Sequence, residues 1–164
     1  MRTRVGLGYD VHGFGGDGPL VLGGVTIEGR GLVGHSDADV VAHAVADAVL
    51  GAAGLPDLGT LFPATDEQWR GASSVAMLRD VAQRVKQTGF WVGNVDVVVA
   101  AEEPRLAPHL EAMVANLTDA LAVAAEPLGD GVHVGIKPKR GEGLGAIGRA
   151  EGIAAWAVAL VGRG

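Results

Sequence analysis

The clearest candidates for chemistry are Asp10 and His12, which lie two residues apart in the stretch YDVHGF. The residues before them alternate in the way typical of a β-strand, and a strand points residues i and i+2 to the same face. An acid and an imidazole on one face of a strand need a partner. The pattern therefore indicates either a structural hydrogen bond or two ligands of a metal ion.

His43 is the third candidate ligand, in a segment whose apolar residues recur at helical spacing. Asp39 and Asp47 lie four residues to either side of it, on the same helix face. Two histidines and one aspartate leave one coordination position open, as in catalytic zinc sites, and Asp47 is placed to accept the second ring N–H of His43. The alternative is a structural histidine beside helix-surface acids, and spacing alone does not decide between them.

Phosphate binding is a second possible chemistry. His35 and Ser36 precede the first predicted helix, where free backbone N–H groups and the helix dipole attract anions. Residues 137–149 form a basic, glycine-rich stretch, and Glu142 within it would suit Mg²⁺, which combines few carboxylates with substrate oxygens. The cations of this stretch are Lys137, Lys139, Arg140 and Arg149. Ordinary helix capping and a solvated loop are the alternatives for these two features.

Composition limits the remaining classes. The 164 residues include no cysteine, which excludes disulfides and thiolate metal sites. A formal net charge of −6 disfavours nucleic acid and anionic membrane surfaces as partners. The chain starts as a strand rather than a signal peptide, and the apolar segment 152–162 is about half as long as a membrane helix. We therefore expect a single domain over residues 1–164, located in the cytoplasm.

The elements that must position these residues follow the order ββ–αα–β–α–ββ. This order indicates an α+β fold, with a mixed sheet and helices packed on one face. Residues 3–12 and 20–27 are predicted to pair as an N-terminal β-hairpin. Ser36 and Asp39 resemble a capping box that starts the first helix, which ends at Gly54.

The second half of the chain supplies the remaining elements. One helix starts at Ser73 or Ser74, and the next starts at Pro108. Three further strands are predicted, over residues 91–102, 132–138 and 150–162. A turn is predicted over residues 126–131. Because the strand over 94–101 and the last strand are apolar on both sides, the second face of the sheet is too apolar to leave in water. We therefore expect an oligomer that covers this face.

Four motifs together resemble one known family. They are GYDVHGF, GHSDADVVAHAVADAVLGAAGLPDLGTLFP, GNVDVVV and GRAEGIAAWAVAL, and they span nearly the whole chain. In order and spacing the chain is similar to the 2-C-methyl-D-erythritol 2,4-cyclodiphosphate synthases. The resemblance implies a homotrimer with sheets around a threefold axis and active sites between neighbouring subunits. The chain length matches the stand-alone form of that family rather than the form fused to a cytidylyltransferase.

The resemblance also implies roles for individual residues. One zinc ion per subunit would be bound by Asp10, His12 and His43, and a second divalent cation, Mg²⁺ or Mn²⁺, by Glu142. The implied catalytic residues are His35, Asp47 and Glu142. The implied substrate-binding residues are His35, Ser36, Asp57, Leu58, Gly59, Phe62, Pro63, Ala64, Thr65, Asp66, Ala101, Pro104, Arg105, Lys139, Arg140, Gly141, Ala146 and Arg149.

The implied reaction is a metal-dependent intramolecular phosphoryl transfer on a small cytidine diphosphate-linked substrate, catalysed by a phosphorus–oxygen lyase. The 2-phosphate of 4-diphosphocytidyl-2-C-methyl-D-erythritol 2-phosphate attacks the β-phosphorus of the same molecule. CMP leaves, and 2-C-methyl-D-erythritol 2,4-cyclodiphosphate forms for the non-mevalonate route to isoprenoid precursors. Such a transfer needs positioning and charge neutralisation more than it needs a general base.

The chain departs from the family pattern at a few positions. Lys139, Arg140 and Gly141 stand where the family usually has a run of threonines, Ala146 where an aromatic residue is common, and Ala64 where an aspartate is common. These changes leave the zinc set intact. The replacement at residues 139–141 is the main support for an alternative function, a trimeric protein that binds metal and a nucleotide or isoprenoid-type diphosphate without turning it over. A purely structural trimer would not explain the inward-facing histidines and aspartate.

Overall fold

The chain folds around one mixed β-sheet. A computed structural model of the protein describes residues 2–127 and 129–164, so that Met1, and Leu128 in the predicted turn over 126–131, lie outside the described residues. The strands are β1 (Arg2–Gly16), β2 (Leu20–Leu22), β3 (Val25–Ile27), β4 (Gly31–Leu32), β5 (Trp91–Ala100), β6 (His133–Lys139) and β7 (Gly152–Arg163). The α-helices are α1 (Val40–Ala53), α2 (Leu58–Leu61), α3 (Ser74–Gln87), α4 (Leu110–Leu121) and α5 (Gly145–Gly148).

Five strands form the main sheet, in the order β4-β1-β7-β5-β6. β5 and β6 are parallel, whereas the other neighbours are antiparallel, so the prediction of a mixed sheet is confirmed. Helix α1 packs on β1 and β7, α4 contacts β6, and α3 packs on α1 and α4. The helices therefore cover one face of the sheet, as predicted.

An N-terminal hairpin is present, but it is built from other strands than those predicted. β1 pairs with β7 along nearly its whole length and with β4 at its end. The segment 20–27 folds back on itself, and β2 and β3 form a separate two-stranded sheet. Gly23 and Gly24 between them have φ values of 54° and 71°, the left-handed conformation that a two-residue hairpin turn requires. The prediction of a single strand over residues 20–27 is therefore wrong.

β1 presents glycines, not apolar side chains, to helix α1. Gly6 and Gly8 are buried, and a Cβ atom built at Gly8 would lie 1.9 Å from the carbonyl oxygen of Ala44. The helix therefore rests directly on the backbone of the strand, which only glycine permits at this distance. Asp10 and His12 continue the same inward face, so the prediction that they point the same way is confirmed.

The opposite face of β1 and β7 is apolar and exposed in the single chain. Six of its large side chains are 39–68% exposed, namely Val5, Leu7, Tyr9, Val11, Trp156 and Val158. The prediction that β5 is apolar on both sides is only partly right, because Asn94 and Asp96 are exposed and Asp96 pairs with Lys137. The uncovered apolar surface is thus concentrated on β1 and β7.

The N-terminus of α1 is fixed by Asp39 alone and not by the predicted capping box. The carboxylate of Asp39 accepts the backbone N–H groups of Val41 at 3.1 Å and Ala42 at 3.0 Å. It also accepts two N–H groups of the β2–β3 turn, at 2.9 and 2.7 Å, and so ties this turn to the helix. Because Asp39 takes the capping position, the hydroxyl of Ser36 lies beside His43 instead.

The other predicted helix ends agree with the structure. Helix α1 is followed by Gly54, whose φ of 77° is left-handed, and Ser73 caps α3. Helix α4 follows a short 3₁₀ turn at Ala107–His109 that contains the predicted starting residue Pro108. Over the described ranges, every helix is too short or too polar to cross a membrane.

Candidate metal centre and adjoining cavities

The inward face of β1 and the first turn of α1 bring the three predicted metal ligands together. The Oδ2 atom of Asp10 lies 2.9 Å from Nδ1 of His43 and 3.0 Å from Nε2 of His12. The two imidazole nitrogens are 3.3 Å apart. In the part of the chain that the structure describes, this is the one group of His, Cys, Asp or Glu residues whose ligand atoms converge closely enough to hold a metal ion.

The geometry and chemistry of this group fit a divalent cation. In a tetrahedral zinc site with bonds of about 2.0–2.1 Å, neighbouring ligand atoms lie about 3.3–3.4 Å apart. The three distances here, 2.9–3.3 Å, are close to that spacing, so small side-chain movements suffice to admit an ion. Two imidazoles and one carboxylate are also ligands that such an ion accepts, and they leave one tetrahedral corner free.

His12 is oriented for this role by the backbone. Its Nδ1 atom lies 2.6 Å from the carbonyl oxygen of Val33 and therefore carries a proton, since a carbonyl oxygen can only accept. In the neutral ring, the lone pair of Nε2 then faces Asp10. A histidine that binds a metal through one nitrogen while donating from the other is the arrangement usual in metal sites.

The electrostatics make Asp10 a strong attractor of positive charge. Burial raises the pKa of Asp10, but hydrogen bonds to His12 and His43 outweigh burial and hold this pKa well below its usual value. Burial lowers the pKa of His12, but the neighbouring Asp10 carboxylate outweighs burial and raises it. The carboxylate therefore stays ionised, and its charge is balanced either by a protonated imidazole or by a metal ion.

Asp47 has a different partner from the predicted one. Its Oδ1 atom accepts the backbone N–H of Leu58 at 2.8 Å, whereas the Nε2 atom of His43 faces serine hydroxyls. The first N–H groups of a helix have no partner within the helix, and the start of α2 therefore competes for this carboxylate. Burial raises the pKa of Asp47, and the charges of Asp57 and Asp10 raise it further.

A cavity of about 260 Å³ opens beside the metal group. His35 on its wall donates from Nε2 to the carbonyl oxygen of Asp66 at 3.0 Å, which connects the phosphate candidate to the segment 62–66. The rings of Phe62 and Trp69 meet edge to face, with centroids 4.9 Å apart. The wall consists of the predicted residues Asp10, His12, His35, Ser36, His43, Asp47, Leu58, Gly59, Phe62 and Ala64, together with Trp69 and Met77.

A second cavity of about 580 Å³ lies between the segments 101–107 and 138–140. The predicted residues on its wall are Ala101, Pro104, Arg105, Lys139 and Arg140. Glu102 joins the two segments, because its carboxylate accepts Nη2 of Arg140 at 2.5 Å and the backbone N–H of Gly141 at 3.0 Å. Within the described residues, the two cavities share no lining residue.

The remaining predicted site residues are not part of the lining of these two cavities. Asp57 caps α2 by accepting the N–H of Thr60 at 2.7 Å, and Arg149 pairs with Glu151 at 2.6 Å. Glu142 has a φ of 51° in an exposed turn, outside the group of three ligands. The others outside both linings are Pro63, Thr65, Asp66, Gly141 and Ala146.

Comparison with known proteins places the chain in a family. The family model described as the YgbB family matches residues 3–162. The chain belongs to the YgbB family. The resemblance read from its motifs is therefore confirmed, since many of the similar proteins are named 2-C-methyl-D-erythritol 2,4-cyclodiphosphate synthases.

Three similar proteins illustrate the match. The "Bifunctional enzyme IspD/IspF" of Anaeromyxobacter sp. is 54% identical over 98% of this chain, which spans only 40% of that enzyme's length. The 2-C-methyl-D-erythritol 2,4-cyclodiphosphate synthase of Cupriavidus pinatubonensis is 50% identical, and the match covers 98% of this chain and 92% of that protein. The structure "IspF (Plasmodium falciparum) CDP complex" superposes with a TM-score of 0.79 at 31% identity, over 97% of this chain and 95% of that one.

Besides Trp69 and Met77 on the cavity wall, three features of this YgbB-family site were not predicted from the sequence. They are the carbonyl of Val33, which orients His12, and the pair Asp37 and Ser74, which lies behind His43. A backbone carbonyl leaves no trace in a sequence. Ser74 was considered only as a helix cap, and its distance of 31 residues from His43 gives no local signal. Asp37 could have been suspected from the acid-rich stretch GHSDAD.

Proposed function

We propose that the protein is a 2-C-methyl-D-erythritol 2,4-cyclodiphosphate synthase of non-mevalonate isoprenoid precursor biosynthesis. It converts 4-diphosphocytidyl-2-C-methyl-D-erythritol 2-phosphate into the 2,4-cyclodiphosphate and CMP, which makes it a phosphorus–oxygen lyase. The observation that carries the proposal is the convergence of Asp10, His12 and His43 on the wall of a cavity. A chain that is 50% identical to a named synthase over nearly its whole length supports the same reading.

We assign zinc to the group of three ligands, one ion per chain. Imidazole and carboxylate ligands with one free corner are typical of catalytic zinc, and the cysteine-free chain offers no thiolate site. A zinc ion held there would supply Lewis-acid polarisation of a phosphoryl group. Asp10 contributes the negative charge that holds the ion, and His12 and His43 contribute neutral nitrogen ligands.

The cavity beside the metal group holds the methylerythritol phosphate end of the substrate. His35 and Ser36 bind its phosphate, His35 being held in place by the carbonyl of Asp66. The turn 57–59 binds the erythritol hydroxyl groups, and Asp47 positions this turn through the N–H of Leu58. Because the attacking phosphate and the attacked phosphorus belong to one molecule, catalysis consists mainly of holding both in line.

The larger cavity holds the nucleotide end. Segment 101–107 recognises the cytosine, and the cations Lys139, Arg140 and Arg149 surround the diphosphate. Glu142 would provide the protein carboxylate for a second divalent cation, Mg²⁺ or Mn²⁺, which would neutralise charge on the substrate phosphates. The link between Glu102, Arg140 and Gly141 fixes the segment that precedes Glu142 against the cytosine segment.

A homotrimer completes the proposal. The apolar face of β1 and β7 needs a cover, and neighbouring copies of the same face provide one. Since the two cavities share no lining residue, a neighbour's nucleotide cavity would complete the active site of each chain. We place the enzyme in the cytoplasm.

The activity is tested by incubating the purified protein with Mg²⁺ and the cytidyl substrate and following CMP by chromatography and the cyclic product by ³¹P NMR. Stoichiometric CMP and cyclodiphosphate are expected. Asp10→Ala should lose zinc and activity together, whereas Asp119→Ala, which removes a carboxylate from a surface ion pair with Arg79, should keep both. Tight binding of the substrate without release of CMP would support the non-catalytic binding protein instead.

The assembly is tested by light scattering on a sizing column. The wild-type protein should elute with the mass of three chains. Leu7→Lys places a charge on the apolar face, where Leu7 is 68% exposed, and should give monomers or aggregates. Val123→Lys changes an exposed apolar residue away from the sheet and should leave the mass at three chains.

A further inference from the structure

His43 is held at both of its ring nitrogens. Its Nδ1 atom lies 2.9 Å from Oδ2 of Asp10, on the side of the candidate metal position. Its Nε2 atom lies 2.8 Å from the hydroxyl of Ser74 and 3.2 Å from that of Ser36. The partners on the Nε2 side decide which nitrogen carries the proton, and therefore whether Nδ1 has a free lone pair.

Ser74 has only one way to use its hydroxyl proton. The residue is buried, 1% exposed, and its Oγ atom donates to Oδ1 of Asp37, which as a carboxylate can only accept. The backbone N–H of Ser74 donates to Oδ2 of Asp37 at 3.1 Å, so that both carboxylate oxygens are engaged by the same residue. The lone pairs of the Ser74 hydroxyl are consequently left to accept the Nε2–H of His43.

We propose that Asp37 and Ser74 are positioning residues that set the tautomer of His43 and thereby the affinity of the site for its metal. The chain of hydrogen bonds runs from Nε2–H of His43 to Ser74 and from Ser74 to Asp37. It holds the ring proton on Nε2 when a cation takes the place of the proton between Nδ1 and Asp10. This inference rests on the metal site of the proposed function and adds the device that prepares it.

The two histidine ligands are thus prepared in different ways. His12 donates to the main-chain carbonyl of Val33, a contact that no side-chain substitution removes. His43 depends on side chains instead: the nearer hydroxyl is that of Ser74, which Asp37 holds, and that of Ser36 lies farther away, at 3.2 Å. Among the described residues, the wall of the smaller cavity includes His43 but not Ser74, so Ser74 acts through His43 and not on the substrate.

Asp37→Asn breaks this chain of hydrogen bonds at its far end. Oδ1 of Asp37 accepts the Ser74 hydroxyl and the backbone N–H of Asp39 at 3.2 Å, and Oδ2 accepts the backbone N–H of Ser74. An amide NH₂ in place of either oxygen sets two donors against each other. The Ser74 hydroxyl is then no longer held as an acceptor for the Nε2–H of His43.

The test measures zinc affinity by competition with a chromophoric chelator for the wild type, Asp37→Asn, Ser74→Ala and Ser73→Ala. Removal of an outer partner of a metal-bound histidine weakens binding by about 10- to 100-fold, which is expected for the first two variants. Ser73→Ala is the matched control, because Ser73 caps the same helix by accepting the N–H of Ala76 at 3.3 Å. It should lower the melting temperature but bind zinc like the wild type.

A second readout follows the ring proton itself. In zinc-loaded protein labelled with ¹⁵N-histidine, the ring proton of His43 should lie on Nε2 and exchange slowly with water in the wild type, and it should exchange faster in Ser74→Ala and Asp37→Asn. If the folded wild type binds no zinc, the metal site of the proposed function fails. If it binds zinc but Ser74→Ala and Asp37→Asn bind equally well, or if Ser73→Ala weakens binding as much as they do, the positioning role is overturned.

Discussion

Asp39 offers the sharpest test of how the fold holds its metal ligands. Its side chain is completely buried, and four backbone N–H groups donate to it, two from α1 and two from the β2–β3 turn. His43 lies one turn further along α1, and its backbone N–H bonds to the carbonyl of Asp39 at 3.0 Å. The carboxylate therefore fixes both the start of the helix and the position from which His43 reaches β1.

We predict that Asp39→Asn destabilises the protein by about 2 kcal/mol. One oxygen becomes an NH₂ group, which loses a charge-assisted hydrogen bond of about 1.5–3 kcal/mol and sets two donors against each other. The remaining bonds to the neutral amide also weaken. Part of this loss is recovered. Burial raises the pKa of Asp39, although the backbone N–H bonds oppose this shift, so the buried anion is less stable than it would be in water. The neutral amide avoids this desolvation cost.

The assay is urea unfolding of metal-free protein at one fixed protomer concentration, since bound metal and oligomerisation both shift apparent stability. Asp57→Asn is the matched control, because Asp57 caps α2 in an exposed position with a single bond to Thr60. Its unfolding midpoint should stay close to that of the wild type. If Asp39→Asn is as stable as the wild type, the group is a neutral acid whose proton an amide can imitate, and the reading of Asp39 as an anionic cap is wrong.

Three further outcomes are expected. Asp47→Ala should raise the KM for the cytidyl substrate about tenfold, whereas Asp47→Asn keeps an acceptor for the N–H of Leu58 and should stay near the wild-type KM, as steady-state kinetics will show. Gly8→Ala should lower the free energy of unfolding by at least about 2 kcal/mol in thermal unfolding, because its Cβ would clash with Ala44 of α1. The control is Gly51→Ala on α1, where a Cβ meets no atom of the described residues within 4 Å, and it should raise the free energy of unfolding by up to about 1 kcal/mol. Free zinc at about 100 times its Kd should stabilise the wild type by about 2.7 kcal/mol, and a chelator should abolish this gain.

Local patterns in the sequence were sufficient for the three long helices, though not for the four-residue helices α2 and α5, and for the common face of two ligands within one strand. The spacing of Asp10 and His12 predicted their common face, and Ser73 correctly marked the start of α3. The partners of β1 were not accessible in this way. Its antiparallel neighbour is β7, at the other end of the chain, and strand pairing at such separation depends on tertiary packing rather than on turn residues.

The same limit applies to the partners of the site residues. Sequence reasoning gave Asp47 to His43 because both lie on one helix face at a spacing of four residues. In the structure, Asp47 accepts a hydrogen bond from the backbone at the start of α2, and the Nε2 atom of His43 contacts the hydroxyl of Ser74 on α3. Both outcomes follow from satisfying polar groups that become neighbours only after the chain has folded, which is why the resemblance located the ligands but not the groups that orient them.

The alternation of β1 explains why the metal site and the exposed apolar face occur together. Its inward positions carry Gly6 and Gly8, which let α1 approach so closely that His43 reaches Asp10. Apolar side chains at these positions would push the helix away and open the group of three ligands. The apolar side chains of the strand are therefore left to the outward positions, where the single chain cannot bury them. Assembly and metal binding are in this sense two consequences of one pattern, and a variant that exchanged the two faces of β1 would lose both.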